Sequence, residues 1–131
     1  VIGHRPDRIR RSGSRRSGGR CRNRAVETGS DWVPPLFRRL KKSFGQNGHA
    51  WAQDPRDTFR EHVWVAPFHE SDLAELKRLI GAERILMGSD WPYVEGLAEP
   101  LSFTGDLEEA GFDSGEIERV MRTNVAALVG V

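Results

Sequence analysis

The chain has 131 residues, 20 basic and 19 acidic side chains, and a formal net charge of +1. Cys21 is its single cysteine, so no internal disulfide can form and nothing points to an oxidising compartment. No apolar stretch approaches the ~20 residues that a membrane-spanning helix requires, and the basic N-terminal region lacks the apolar core of a secretory signal, so a cytoplasmic protein is expected.

The near-neutral total conceals two unlike segments. Residues 1–24 hold nine arginines against one aspartate, giving +8, while residues 25–131 hold 11 basic against 18 acidic groups, giving −7. The first segment centres on Arg10-Arg11-Ser12-Gly13-Ser14-Arg15-Arg16 and has too little apolar surface to fold, so it is predicted to be a disordered arm. Three readings stay open for it: a solvated tail, an arm that binds nucleic acid or another acidic partner through released counterions, or out-of-frame translation of GC-rich DNA. No aromatic residue interleaves the arginines to stack on bases, which disfavours nucleic acid. The second segment, 25–131, has the apolar runs and turn signals of an α/β protein.

In chain order, Ala25-Val26 reads as a strand stub and Glu27 to Ser30 as the loop above it. Asp31 precedes Trp32-Val33-Pro34-Pro35, whose prolines suit a first helical turn. That helix is predicted through Leu36 to Lys42, with Leu36, Phe37 and Leu40 on its apolar face and its positive charges late, where the macrodipole favours them. Gly45 to Gly48 ends it. Asp54-Pro55 opens a short helical turn, and Thr58-Phe59 leads toward a strand at Glu61 to Ala66, with His62 and Trp64 on one side and Val63 and Val65 on the other. Pro67-Phe68-His69-Glu70 forms the following loop. Ser71 is read as the N-cap of a helix over 72–80, with Leu73, Leu76, Leu79 and Ile80 along one face and Gly81 as its stop.

Glu83 to Pro92 is the most informative stretch. Arg84 to Met87 is a short apolar run of the kind that forms a buried parallel strand. Gly88 and Ser89 end it, and Asp90 follows at the C-terminal edge. Pro92 biases Trp91 away from helix, so the chain leaves the sheet in an extended loop. A carboxylate on that edge is either a turn cap or, as in α/β barrels, a metal ligand or proton carrier. Beyond it, Thr104 to Ala110 reads as a short helix closed by Gly111. Ser114 is read as the cap of a helix over 116–120, and Asn124 as an interruption that hydrogen-bonds backbone before a last helix over 126–129.

Ile85 to Pro92 with Glu95-Gly96, Glu27 to Pro34 upstream, and Val120 to Ala126 near the end together resemble the amidohydrolase-2 family, metal-dependent hydrolases and decarboxylases related to aminocarboxymuconate-semialdehyde decarboxylase. The resemblance covers roughly residues 25–131. It implies that this segment is the C-terminal part of a (β/α)₈ TIM-type barrel, with Glu61 to Ala66 as strand seven and Arg84 to Met87 as strand eight. It also implies that Asp90 binds the active-site divalent metal, zinc by preference, and helps activate a water toward a small organic substrate. The same resemblance leaves open whether hydrolysis or decarboxylation follows.

Family members hold the metal with a His-x-His pair on the first strand and further histidines later. Here no two of His4, His49, His62 and His69 are separated by a single residue. A barrel also needs about 250 residues. The chain is therefore expected to be the C-terminal piece of such an enzyme, inactive alone and without a tight metal site. Glu27, at the end of strand six, reads as a second carboxylate ligand or a salt-bridge partner. His69 reads as a surface group or a functional one, and Trp91 and Tyr93 as pocket walls or rim packing.

Overall fold

The computed structural model of the chain describes residues 22–26, 28–68, 71–89, 94 and 96–131. It is a helix-rich α/β arrangement around a small parallel sheet. Strand β1 (Asn23–Ala25) pairs with β2 (Val63–Val65) in the register Asn23↔Val63, Arg24↔Trp64 and Ala25↔Val65. A parallel bridge between Val65 and Ile85 adds a third line of chain on the other side of β2. The Ala66 N–H donates to the Ala25 carbonyl and the Leu86 N–H to the Val65 carbonyl, both at 2.9 Å, so the parallel ladder runs across all three segments.

Parallel neighbours require a crossover, and helices supply both. Helix α1 (Val33–Gln46) and helix α2 (Pro55–His62) connect β1 to β2, and α3 (Leu73–Ile80) connects β2 to Ile85. Alternation along β2 sorts its side chains. Val65 joins Val33 and Phe37 of α1, Leu73, Leu76 and Ile80 of α3, and Ile85 in the main core. Trp64 and Ala66 face the opposite way and pack with Leu86 and Leu128. Buried on both faces, β2 is a near-continuous apolar run, as parallel strands usually are.

The C-terminal third closes the main core. Helix α4 (Phe103–Glu109) contributes Phe103 and Leu107, both fully buried. Helix α5 (Ser114–Glu118), a π-helical turn over Arg119–Thr123 and helix α6 (Asn124–Val129) follow. Each large apolar side chain taken out of water contributes on the order of 1.5–3 kcal/mol, so Phe103, Leu107 and Val120 are a substantial part of what holds this segment to α3 and Ile85.

Several elements differ from the sequence reading, each for a local reason. Asn23 and Arg24, read with the basic arm, form β1 together with Ala25. Thr58 to His62, read as leading into and starting a strand, belong to α2. Asp54 accepts from the Arg56 N–H and Pro55 occupies the first turn, so the helix nucleates early. Helical spacing then sets Phe59 edge-on to both Phe37 (5.2 Å between centroids) and Trp32 (5.9 Å). Asp72 rather than Ser71 caps α3, accepting from the Glu75 N–H at 2.8 Å, and Asp113 rather than Ser114 caps α5. In both cases a carboxylate completes the cap and also faces the positive end of the helix.

The strand read over Arg84 to Met87 is reduced to the bridge at Ile85. Arg84 lies in a 3₁₀ turn (Ala82–Arg84), and Met87 turns its N–H to the Val120 carbonyl at the π-helical turn instead of extending the ladder. Asn124 does bond backbone, but across the fold. Its buried Nδ2 donates to the carbonyls of Ala82 (2.8 Å) and Ile85 (2.7 Å). Residues 1–21 lie outside the described residues, and with them most of the basic arm and Cys21.

Candidate functional site

All three parallel segments point their C-terminal ends the same way, and the loops leaving them meet. After β1 comes Thr28-Gly29-Ser30, after β2 Ala66-Pro67-Phe68, and after Leu86 the pair Gly88-Ser89. Glycines set how closely these loops approach. A Cβ on Gly29 would stand 3.0 Å from the Phe68 ring, and Gly29 has φ +61°, a conformation that side chains with a Cβ seldom adopt. A Cβ on Gly88 would stand 3.3 Å from the Ala66 Cβ. The strand ends thus approach closely where glycines leave room for the Phe68 ring and the Ala66 side chain, and the neighbouring Ser30 is buried.

Further bonds fix this edge. The Trp32 indole N–H donates to the Gly29 carbonyl at 3.0 Å, and the Val33 N–H to the Ser30 carbonyl at 2.9 Å, which ties the first loop to the start of α1. The Leu97 N–H donates to the Ser89 carbonyl at 2.8 Å, which holds these two residues together. Ser89 is therefore anchored on both sides: by Gly88 packing against Ala66, and by the return of the chain at Leu97.

Asp90, the residue expected to carry the chemistry, follows Ser89 directly and lies outside the described residues. So do Glu27, His69, Trp91, Tyr93 and Glu95. Among the described residues, no group of three or more His, Cys, Asp or Glu side chains could hold a metal ion.

The remaining candidates stand elsewhere. His62 ends α2 at the opposite end of the sheet, where it lines an apolar hollow of about 590 Å³ together with the first residues of both strands, Asn23 and Val63. His49 is an exposed residue of a 3₁₀ turn (Gly48–Ala50). Among the described residues, the two carboxyls whose pKa is lowered belong to helix caps. For Asp54 the side-chain bond from Arg56 is the main cause, and for Glu116 the bond from Lys77.

The pair Gly29 and Gly88 was not singled out from sequence, although glycine soon after a strand is the available signal for a close approach. Arg22 gave no such signal. Its guanidinium donates to the carbonyls of Ala127 and Leu128 and so caps the C-terminal end of α6 from the start of β1.

No family model matches the chain, and no curated protein does. Among solved structures it is similar to the amidohydrolase map2389c from Mycobacterium avium subsp. paratuberculosis K-10, with 44% sequence identity and a TM-score of 0.77. The match covers 83% of this chain and 28% of the amidohydrolase, so the chain spans under a third of the length of that structure. Sequence and fold thus agree in likening this α/β segment to part of an amidohydrolase. No helix among the described residues is long and apolar enough to cross a membrane.

Proposed function

We propose that this chain supplies the last β/α units of a TIM-type barrel in an amidohydrolase-related enzyme, and that Asp90 is its contribution to the active centre. The observation that carries this reading is the 44% identity to an amidohydrolase over 83% of the chain. It is supported by the convergence of three strand-end loops directly before Asp90. In parallel α/β folds the carboxyl ends of the strands are where ligands and chemistry gather.

The closest finer assignment is the amidohydrolase-2 branch, carried by Gly88-Ser89-Asp90-Trp91-Pro92. The described residues do not fit a metal centre by themselves. A divalent metal is therefore proposed for the assembled barrel, with Asp90 as one ligand among several from other strands, since catalytic sites need three or more convergent protein ligands. The substrate class is a small ester, lactone or carboxylic acid. On this reading the described residues play a structural part: Gly29, Gly88 and the Ser89–Leu97 bond hold the strand-end edge as far as Ser89.

The test is Asp90→Asn in the complete protein that carries this sequence, assayed against ester, lactone and carboxylic-acid panels. Activity should fall by several orders of magnitude with circular dichroism unchanged. Full turnover in that variant would remove Asp90 from the mechanism.

A further inference from the structure

Away from the strand ends, the outer surfaces of α1, α2 and α3 enclose a hollow of about 330 Å³, at the lower end of the range for small-molecule sites (about 300–1,000 Å³). Its lining carries Arg38 and Lys41 from α1, Arg56 and Arg60 from α2, and Arg78 from α3, with Glu75 as its one acid. Residues 25–131 contain 11 basic groups against 18 acidic ones, so five of the 11 gather in one groove of an otherwise acidic body. A diffuse surface charge would not concentrate in this way.

Three of the five are already held in place. Arg56 forks onto Asp54 through Nε and Nη2. Arg60 donates through Nε to the Leu79 carbonyl at 2.8 Å and lies over the Phe37 ring at 5.2 Å. Arg78 reaches Glu75 at 3.1 Å. These bonds engage only part of the five N–H donors that each guanidinium carries. Their partners Asp54, Asp57 and Glu75 cancel three of the charges. Arg38 and Lys41 form no ion pair among the described residues; Arg38 also lines the neighbouring hollow with Asp31 and Asp72, so the groove keeps at most two uncancelled unit charges beside a set of oriented donors. Phe37 and Leu79 add apolar surface to the same hollow.

We propose that this groove binds the phosphoryl group of a small molecule. A phosphate dianion suits the uncancelled charge, and its tetrahedral oxygens can accept from several of the remaining N–H donors at once, where a planar carboxylate would reach fewer. Donors that are already positioned lose little side-chain entropy on binding. The proposal does not depend on the amidohydrolase reading, because no residue of the groove belongs to the strand-end loops.

The experiment is calorimetric titration of the 131-residue chain with phenyl phosphate and, separately, inorganic phosphate, at an ionic strength of about 0.15 M. One saturable site with a Kd of about 1 mM or tighter is expected. Tighter binding of phenyl phosphate identifies an organic phosphate as the ligand, and equal binding identifies the free anion. Both outcomes support a phosphoryl site.

Two double variants decide whether the groove is responsible. Arg38→Ala with Lys41→Ala should weaken binding at least about tenfold, the scale of a lost charge-assisted contact. Arg39→Ala with Lys42→Ala removes the same charge from exposed neighbours on α1 that do not line the hollow, and should change affinity less than about twofold. Equal losses in the two pairs would reduce the effect to a general field and overturn the proposal. It would equally be overturned by no saturation up to about 10 mM, a range equivalent to under 3 kcal/mol of binding, or by binding confined to long polyanions such as heparin. Circular dichroism of both pairs guards against a folding artefact, and Arg38→Gln with Lys41→Gln repeats the test with helix-compatible polar side chains.

Discussion

Asn124 shows how one amide can fix a junction that backbone pairing leaves open. Ala82 and Ile85 sit where the chain passes from a 3₁₀ turn into the sheet, and both of their carbonyls accept from Asn124 Nδ2 in a buried site. Asn124→Ala leaves the Ile85 carbonyl without this donor, while the Ala82 carbonyl keeps the Ile85 N–H at 3.3 Å, and the expected loss is on the order of 1–3 kcal/mol for the one orphaned group. Asn124→Asp should be worse at pH 7, because a carboxylate would then face two carbonyl oxygens with no proton to share. Urea denaturation of the three proteins checks the order. The gap between Asp and Ala should narrow as pH falls and the carboxyl regains a donor. An Asp variant as stable as the parent would show that Asn124 does not hold this junction.

Among the elements, α3 is tied to the turn before α5 by Lys77. Its Nζ meets Glu116 and the Gly111 carbonyl and lies 4.7 Å from the centroid of Phe112. Glu116 also completes the capping box of α5, accepting from the Asp113 N–H while Asp113 accepts from the Glu116 N–H. These bonds, first of all that from Lys77, lower the Glu116 pKa, with burial opposing them. A carboxyl depressed in the folded state contributes its full stability above the unfolded value, about 4.3 for Glu, and loses it as pH falls through the lower folded value. The difference in urea midpoint between the parent and Glu116→Gln should therefore be constant from about pH 6 to 8 and shrink in acid below about 4. A difference that grew in acid would contradict this sign.

Helix ends allow a second check at the same scale. Gly81 stops α3 with φ +83° and ψ 151°, a region nearly closed to other residues. Gly105 is an exposed residue inside α4 with open space around it. Gly81→Ala should cost about 1–3 kcal/mol, whereas Gly105→Ala should add about 0.5–1 kcal/mol by lowering the entropy of the unfolded chain. Thermal unfolding should thus move in opposite directions for the same chemical change.

For the molecule as a whole, the question is whether one strand-end carboxylate makes a metal centre. A carboxylate without convergent partners leaves a cation mostly hydrated and its water close to unactivated. Zinc titration of this chain is expected to show no stoichiometric site of micromolar affinity. A micromolar site that disappeared in Asp90→Ala would mean that the chain, or an assembly of its copies, builds a working centre from its own residues. Among the described residues β1 pairs with β2 alone, so on the proposed barrel reading β1 is the edge where a further strand would add.

Sequence alone determined the features that depend on local chemistry. The periodicity of Leu73, Leu76 and Ile80 marked α3, the prolines marked the start of α1, and glycine marked the end of α3, because helix faces and stops are set by residues within one or two turns. The parallel strand character of Val63 to Val65 and of Ile85 was legible for the same reason, as a short apolar run with polar flanks. Boundaries were less so. Thr58 to His62 became helix because the start at Asp54-Pro55 was carried on by Phe59 packing against Phe37 and Trp32, and Met87 left the sheet because Val120, 33 residues away, offered its carbonyl. Contacts at such separations leave no periodic trace. The likeness to amidohydrolases could be read from Ile85 to Pro92 together with Glu27 to Pro34 and Val120 to Ala126. The close approach of Gly29 and Gly88 at the strand ends, the cross-fold bonds of Asn124 and the gathering of five cations between three helices were decided only when the chain brought distant segments together.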